Sequence, residues 1–408
     1  MIRLMPTSGA TDAQPAPAHG TAHTLLAGVV CALVGFTSSF AVVLAGLRAV
    51  GADPAQAGSG LTAVLVAMGL GSLIFSWRYR IPITMAWSTP GVALLARGLA
   101  PAGGFPAAVG AFVVTGVLLA LTGLVRPFGD LVQKIPASLA NAMLAGVLLI
   151  LCLAPFRALV HSPAAIAPVV LTWLVLLRFA PRWAVPGALV TSVVVLGVTG
   201  ALGRVGTGEL LPTLTPVLPR FDPATLVAIA LPLFLVTMTS QNIPGTAVLA
   251  GFGYRTPWLP TMAYGGGATA AGALIGGPGV NLAAISAALA AGPEAGSDPA
   301  RRWLAGVSCG VTHLLLAPVS GVVIAVSQVA PDGLLATIAG LALVGTFAAS
   351  ATAALADAEQ RVPPALTIVI AATGISVLGI GAPFWALLGG FILYAALGVG
   401  RTPRAKAG

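Results

Sequence analysis

The sequence predicts an all-α polytopic membrane protein of about fourteen transmembrane segments, arranged as two sets of seven in an inverted repeat. Three observations carry that reading. First, 19 Lys or Arg and 10 Asp or Glu make up only 7% of the 408 residues, where a soluble domain carries about 25% charged residues. With 58% apolar residues and a mean hydropathy of +1.01, the chain could not cover a water-facing surface. Second, fourteen apolar segments can be drawn, and the basic residues sort between the loops that join them. Third, Pro-containing patterns recur in both halves.

A helix needs about 20 apolar residues to cross a hydrocarbon core of ~30 Å. The first half offers 24–47, 58–76, 83–96, 106–125, 136–156, 164–178 and 184–203. The second offers 223–243, 256–276, 279–292, 303–325, 332–355, 363–379 and 382–399. Residues 1–23 are polar, Pro- and Ala-rich, and are expected to form a disordered tail. The first apolar run is too long for the h-region of a signal peptide and is expected to remain as a span. Segments three and ten are too short to cross as helix alone. The third contains Pro90-Gly91 and the tenth is preceded by Pro278 and starts at Gly279, so each is expected to be part extended and part half-helix.

With the N-terminus inside and fourteen crossings, Arg3, Arg78, Arg80, Arg126, Lys134, Arg178, Arg182, Arg255, Arg301, Arg302, Arg361, Arg401, Arg404 and Lys406 fall on the cytoplasmic side. Only Arg48, Arg97, Arg157, Arg204 and Arg220 fall outside, a 14-to-5 division of the kind expected when basic loops stay inside. Both termini are therefore expected in the cytoplasm. In the fifth segment Pro136, Leu139, Ala145 and Leu148 match Pro331, Leu334, Gly340 and Leu343 of the twelfth at a constant offset of 195. Pro90-Gly91-Val92 matches Pro278-Gly279-Val280 at an offset of 188. Each matched pair lies seven segments apart, and an odd number inverts the second copy.

Other classes are excluded by pattern. A closed outer-membrane barrel alternates apolar and polar residues and would not reach this hydropathy. The net charge of +9 comes from basic residues scattered singly or in pairs, without aromatic interleaving, so no nucleic-acid partner is expected. Cys31, Cys152 and Cys309 lie in apolar runs with no metal-ligand spacing, and they read as buried free thiols. No phosphate loop and no nucleophile with a base appears, so neither enzyme activity nor a cofactor or metal is expected.

Polar side chains gather near the breaks. Phe36 and Phe40 flank Thr37-Ser38-Ser39; Trp87-Ser88-Thr89 precedes Pro90-Gly91; Thr239-Ser240-Gln241-Asn242 precedes Pro244-Gly245; Asn281 follows Pro278. A break at membrane depth is tolerated only where protein or a water-filled cavity satisfies the freed backbone. Helices starting after Gly91 and Gly279 would turn their first N–H groups toward one another, a setting suited to an anion. The competing reading is that the Pro-Gly pairs are packing kinks and that the Ser and Thr hydroxyls bond back to their own helices. Gln241, Asn242 and Asn281 are harder to explain that way, since buried amides present both donors and acceptors. His313 lies inside segment eleven as either a packed neutral side chain or a proton relay. Asp332 is expected to cap the twelfth helix, and Asp357, Glu359 and Arg361 to pair or be solvated in a loop.

The strings Gly35-Phe36-Thr37-Ser38-Ser39, Tyr79-Arg80-Ile81-Pro82, Trp87-Ser88-Thr89-Pro90-Gly91 and Ser240-Gln241-Asn242-Ile243-Pro244-Gly245 resemble the BenE family of benzoate transporters. The likeness covers nearly the whole chain after the N-terminal tail. It implies import of benzoate, or a related aromatic carboxylate, with protons across the bacterial inner membrane. The plan is similar to that of UraA-type nucleobase transporters, whose segments one to four and eight to eleven form a core that moves against a gate. Carried over, this gives a cytoplasmic tail at 1–23, core at 24–125 and 223–325, gate at 126–222 and 326–400, and a second cytoplasmic tail at 401–408. Pairing through the gate as a homodimer in membrane lipid is implied by the same plan. The expected substrate-binding residues are Phe36, Ser38, Ser39, Phe40, Trp87, Ser88, Thr89, Gly91, Ser240, Gln241, Asn242, Gly279, Val280 and Asn281, with His313 as the proton-coupling candidate. One departure matters. Where the nucleobase carriers place acidic residues in segments eight and ten, this chain has Gln241, Asn242 and Asn281. A neutral site suits an anion and leaves the proton carrier open, either His313 or the desolvated substrate carboxyl itself. The alternatives are a nucleobase or inorganic-anion carrier on this scaffold, or an anion channel.

Overall fold

Apolar runs bounded by strong stop signals produce a mostly helical chain in the computed structural model, which describes residues 20–96, 100–125, 127–129, 136–205, 211–377 and 380–397. Of the expected tails at 1–23 and 401–408, residues 1–19 and 401–408 lie outside the described residues, as do Arg97, Arg126 and Lys134, while residues 21–23 are the first turn of a helix and not tail. Helix α1 spans Thr21–Ala49. Helix α2, Pro54–Tyr79, starts in a reciprocal cap: Gln56 N–H donates to Asp53 Oδ1 at 2.8 Å and Asp53 N–H to Gln56 Oε1 at 3.0 Å, with Pro54 at the first helical position. It ends where Arg80 turns left-handed at φ 55°, its guanidinium 4.0 Å from the Trp303 ring centre.

Strand β1 (Met85–Trp87) and half-helix α3 (Thr89–Leu95) follow, then α4 (Gly104–Leu124), α5 (Ala137–His161), α6 (Pro163–Phe179) and α7 (Ala184–Val198). The second half runs α8 (Pro223–Gly251), α9 (Trp258–Ala273), strand β2 (Val280–Leu282) and half-helix α10 (Ile285–Ala291). It continues with α11 (Trp303–Leu316), α12 (Val319–Val329), α13 (Leu334–Ala354), α14 (Val362–Thr373) and α15 (Ala382–Ala396). Among the described residues seven helices are long and apolar enough to cross a membrane, or eight with the α11–α12 pair counted as one.

Four local differences from the sequence reading have physical causes. Segment eleven bends by 54° between α11 and α12, at Pro318, which lacks the N–H a continuing helix needs. Segment thirteen stops at Thr373, where Gly374 adopts φ 66°, and a short hairpin of β3 (Ser376–Val377) and β4 (Ile380–Gly381) precedes α15. Asp332 does not cap α13: the cap position is Gly333, with no side-chain hydrogen bond. The helix expected directly after Gly279 is instead a strand, and α10 begins only at Ile285. Gly279 sits at φ 142°, a conformation open to glycine and not to a helix start. The loop acids Asp357 and Glu359 are exposed, Asp357 Oδ1 accepting Glu359 N–H at 3.0 Å, and Arg361 donates to the Leu355 carbonyl at 3.1 Å.

β1 and β2 pair antiparallel in the register Met85↔Leu282, Ala86↔Asn281 and Trp87↔Val280. This pairing supplies the partners that an extended segment inside a helical bundle otherwise lacks. Most helix packing falls into two groups, with α1 also packing on α13 across the boundary between them. One joins α4 to α9, α2 to α11, and α1 to α11 and α3; the other joins α5 to α13 and α14, α14 to α15, and α6 to α7. In the second group Ile166, Val169 and Trp173 of α6 share a buried cluster with Ala184 and Ala188 of α7 and Leu334 and Leu341 of α13. The α4–α9 contact is close because Gly116 and Gly266 face each other. A Cβ on Gly116 would lie 2.6 Å from the Gly266 carbonyl oxygen, the small-residue packing expected where lipid supplies no hydrophobic drive between helices.

Candidate functional site

Helix α8 sets the polar wall of the site. It carries Pro232 and Pro244, and a proline ring clashes with the carbonyl four residues earlier. Those carbonyls belong to Ala228 and Ser240, and the helix widens into π turns over Leu226–Ala230 and Met238–Asn242. A widened turn removes the clash and re-aims the residues within it. Gln241 and Asn242 both reach the β2–α10 segment: Leu282 N–H donates to Asn242 Oδ1 at 2.9 Å, and Ala284 N–H donates to Gln241 Oε1 at 3.4 Å.

A cavity of about 110 Å³ lies beside this contact, several times the ~15 Å³ a single water needs. Cys31, Val34, Gly35, Ser38 and Ser39 of α1 line it, with Met68, Met85, Ala86, Trp87, Thr89, Gln241, Ala283, Ala284, Ser286, Leu289 and His313. No Asp, Glu, Lys or Arg is among them. Ser39 donates to the Gly35 carbonyl at 3.1 Å and accepts the Trp87 Nε1 proton at 2.9 Å, which fixes the indole. Ser38 also donates to Gly35 at 3.1 Å. The hydroxyls of Thr89 and Ser286 and the Nε2 amide of Gln241 make no hydrogen bond among the described residues. With the Nε2 edge of His313 they are side-chain groups left to meet a ligand. The first turn of α10 adds backbone N–H groups with no partner within the helix; in α3 Pro90 has no N–H, and those of Gly91 and Val92 are taken by Ser88.

Of the residues expected from sequence, Ser38, Ser39, Trp87, Thr89, Gln241 and His313 line the cavity. The others hold its wall. Phe36 stacks on Phe40 at 5.3 Å and sits 6.2 Å from the Trp87 ring. Ser88 caps α3 by accepting Gly91 N–H at 3.2 Å, and it takes a hydrogen bond from Thr237 at 2.9 Å. Gly91 lets α3 approach α8, since a Cβ there would lie 2.5 Å from Leu233 Cδ1. Ser240 bonds back to the Val236 carbonyl at 2.6 Å. Val280, after Gly279, donates its N–H to Thr269 at 2.9 Å. Asn281, 1% exposed, clamps the two broken segments: its amide oxygen accepts Ser88 N–H at 2.8 Å and its nitrogen donates to the Leu282 carbonyl at 3.0 Å, the orientation that satisfies both groups. His313 Nδ1 lies 3.8 Å from Cys309 Sγ, itself 3.8 Å from Cys31 Sγ.

Sequence reasoning missed Cys31, Val34, Gly35, Met68, Met85, Ala86, Ala283, Ala284, Ser286 and Leu289. A signal existed for part of this set. Cys31, Val34, Gly35 and Ser38 stand at i, i+3, i+4 and i+7 on one helix face. Ser286 gave none, because its helix was expected to start at Gly279.

Comparison with known proteins adds four findings. The family described as benzoate membrane transport protein, BenE, matches residues 18–396. The chain is 37% identical over 377 residues to the inner membrane protein YdcO of Escherichia coli, covering 92% of this chain and 95% of that one. It is 28% identical over 369 residues to a benzoate membrane transport protein of Acinetobacter baylyi, covering 90% and 93%. Among solved structures, the transmembrane domain of the cyanobacterial bicarbonate transporter BicA superposes with a TM-score of 0.61 at 17% identity, over 90% of this chain and 97% of that one. That last likeness is one of fold.

Proposed function

The chain belongs to the BenE family of benzoate membrane transport proteins, and from that premise we propose that it imports benzoate or a related aromatic carboxylate together with a proton. The observation that carries this reading is the cavity: neutral donors at Thr89, Ser286 and Gln241, no fixed charge, and an apolar surface of Trp87, Met68, Met85 and Val34. The carboxylate lies toward these donors and the first turn of α10, and the ring against Trp87. A lining acid would repel such a ligand. A lining Lys or Arg would attract it in water but trap it against release.

Bringing a monoanion in against an inside-negative potential costs about 2.3 kcal/mol per 100 mV. One accompanying proton cancels that electrical cost. The proton rides on the substrate carboxyl, raised by desolvation, or on His313 of the cavity wall.

The transport cycle is alternating access, with a core of segments one to four and eight to eleven sliding against a gate of the remaining six, the chain crossing the inner membrane fourteen times. The two packing groups support this division. An inverted repeat is supported by the strand ladder, because a shift of 195 residues exchanges Met85↔Leu282 with Trp87↔Val280 and returns Ala86↔Asn281 to itself. It also exchanges the α2–α11 contact with the α4–α9 contact. That the N-terminal end and the expected cytoplasmic loops share one face is supported by contacts among them: His23 to Glu294 at 2.9 Å, Tyr254 to Pro299 at 2.8 Å, and Arg80 over Trp303; the sorting of basic residues puts that face inside.

Uptake of labelled benzoate into proteoliposomes with an imposed inward proton gradient tests the reading. Accumulation above equilibrium, abolished by a protonophore, is expected. Equilibration without accumulation would leave a channel, and uptake displaced by bicarbonate or uracil but not benzoate would leave another carrier on this fold. Proton-driven accumulation retained by His313→Gln would assign the proton to the substrate.

A further inference from the structure

A second cavity, of about 180 Å³, adjoins the site. Val34 and Leu289 line both cavities, so these two side chains form the partition between them. From there the space runs past Val30 to His23, Arg182 and Glu294 at the start of α1. Arg182 Nη1 lies 3.8 Å from Glu294 Oε2, and the two side chains are 65% and 67% exposed. This is the one ion pair between side chains among the described residues.

The two partners are held differently. Glu294 sits in a loop that buried Arg302 fixes, with Nε donating to the Gly296 carbonyl and Nη1 to the Ala291 carbonyl, both at 2.8 Å. His23 adds a hydrogen bond to the Glu294 carbonyl at 2.9 Å. Arg182 lies in the short turn Pro181–Trp183 before α7, in the other packing group. The pair therefore bridges the two groups at one end of the molecule. An exposed pair of this kind is weak and readily exchanged for another anion.

We propose that the binding cavity discharges toward the α1 N-terminal end through the Val34–Leu289 partition, and that Arg182–Glu294 latches the mouth of this portal. A departing carboxylate replaces Glu294 as the partner of Arg182, which opens the latch and draws the anion out. Arg182 is thus a positioning residue for release. The portal rests on the proposed orientation, which places it on the cytoplasmic side.

The test is labelling of Val34→Cys by a membrane-impermeant thiol reagent, in vesicles of each sidedness, above the background of the parent protein with its native Cys31. An N-terminal tag in the same vesicles reports orientation independently. Labelling from the face that carries the N-terminus is expected, and Leu289→Cys on the opposite wall gives the same readout. Adding Glu294→Gln should raise the labelling rate roughly two- to fivefold, and the charge swap Arg182→Glu with Glu294→Arg should restore it. Labelling only from the other face, or a rate indifferent to Glu294→Gln, overturns the portal. Neither readout requires benzoate. Sidedness and latch effect retained without any slowing of labelling by benzoate would therefore overturn the substrate assignment and leave the portal standing.

Discussion

Gln241 does two things with one amide. Its oxygen accepts Ala284 N–H at the start of α10, and its nitrogen is left for the cavity. Loss of a hydrogen bond to a charged ligand is worth about 1.5–3 kcal/mol, so Gln241→Ala should raise KM for benzoate roughly 10- to 100-fold in initial-rate uptake assays. Gln241→Glu sharpens the test. A carboxylate there repels the substrate when ionised and not when protonated, so uptake should be weakest at neutral pH and recover as pH falls. A pH-independent defect would detach Gln241 from the anion. Asn281 predicts the opposite division. Its amide satisfies Ser88 N–H within the strand pair, 1% exposed, and an unsatisfied buried donor costs about 1–3 kcal/mol. Asn281→Ala should lower Tm in detergent more than it changes KM. The amides were legible in the sequence as costly residues near the breaks, but which one faces the ligand depends on where each break places its backbone.

At the scale of elements, the two prolines of α8 matter more than their spacing suggests. The π turn over Met238–Asn242 accommodates Pro244 and aims Gln241 and Asn242 at β2 and α10. Pro244→Ala restores a backbone donor and removes the clash. The turn can then tighten and rotate both amides away. Tm should hold or rise while uptake falls at least tenfold; a parallel loss of both would mean that the proline only supports the helix. The broken segments were legible as short, Pro-Gly-bearing stretches, and their extended-plus-helical make-up is present in β1–α3 and β2–α10. Their alignment was not. Matching Pro-Gly to Pro-Gly gives an offset of 188, whereas the strands correspond at 195, the offset already present between Pro136 and Pro331. The two Pro-Gly pairs serve different geometries, one opening a helix after Ser88 and one kinking into a strand.

For the whole molecule, the end of α1 opposite the portal offers a further test of relative movement. Arg48, whose guanidinium bonds Ser327, and Asp332, ahead of α13, line one cavity of about 310 Å³. They belong to different packing groups. If these groups slide, a flexible thiol cross-linker joining Arg48→Cys to Asp332→Cys should stop uptake, while binding of benzoate persists and cleavage of the linker restores transport. Continued uptake by the cross-linked protein would argue against movement at this boundary.

The sequence by itself determined the membrane-protein class, the apolar segments, the sorting of basic loops and the neutrality of the polar cluster. These follow from composition and local pattern, which the solvent reads residue by residue. Tertiary structure alone decided the ladder register, the approach of Cys31 to Cys309, the place of Ser286 in the cavity and the meeting of Arg182 with Glu294. Each joins residues far apart in the chain, and their distance is set by how glycine-faced helices and two broken segments pack, which no local pattern encodes.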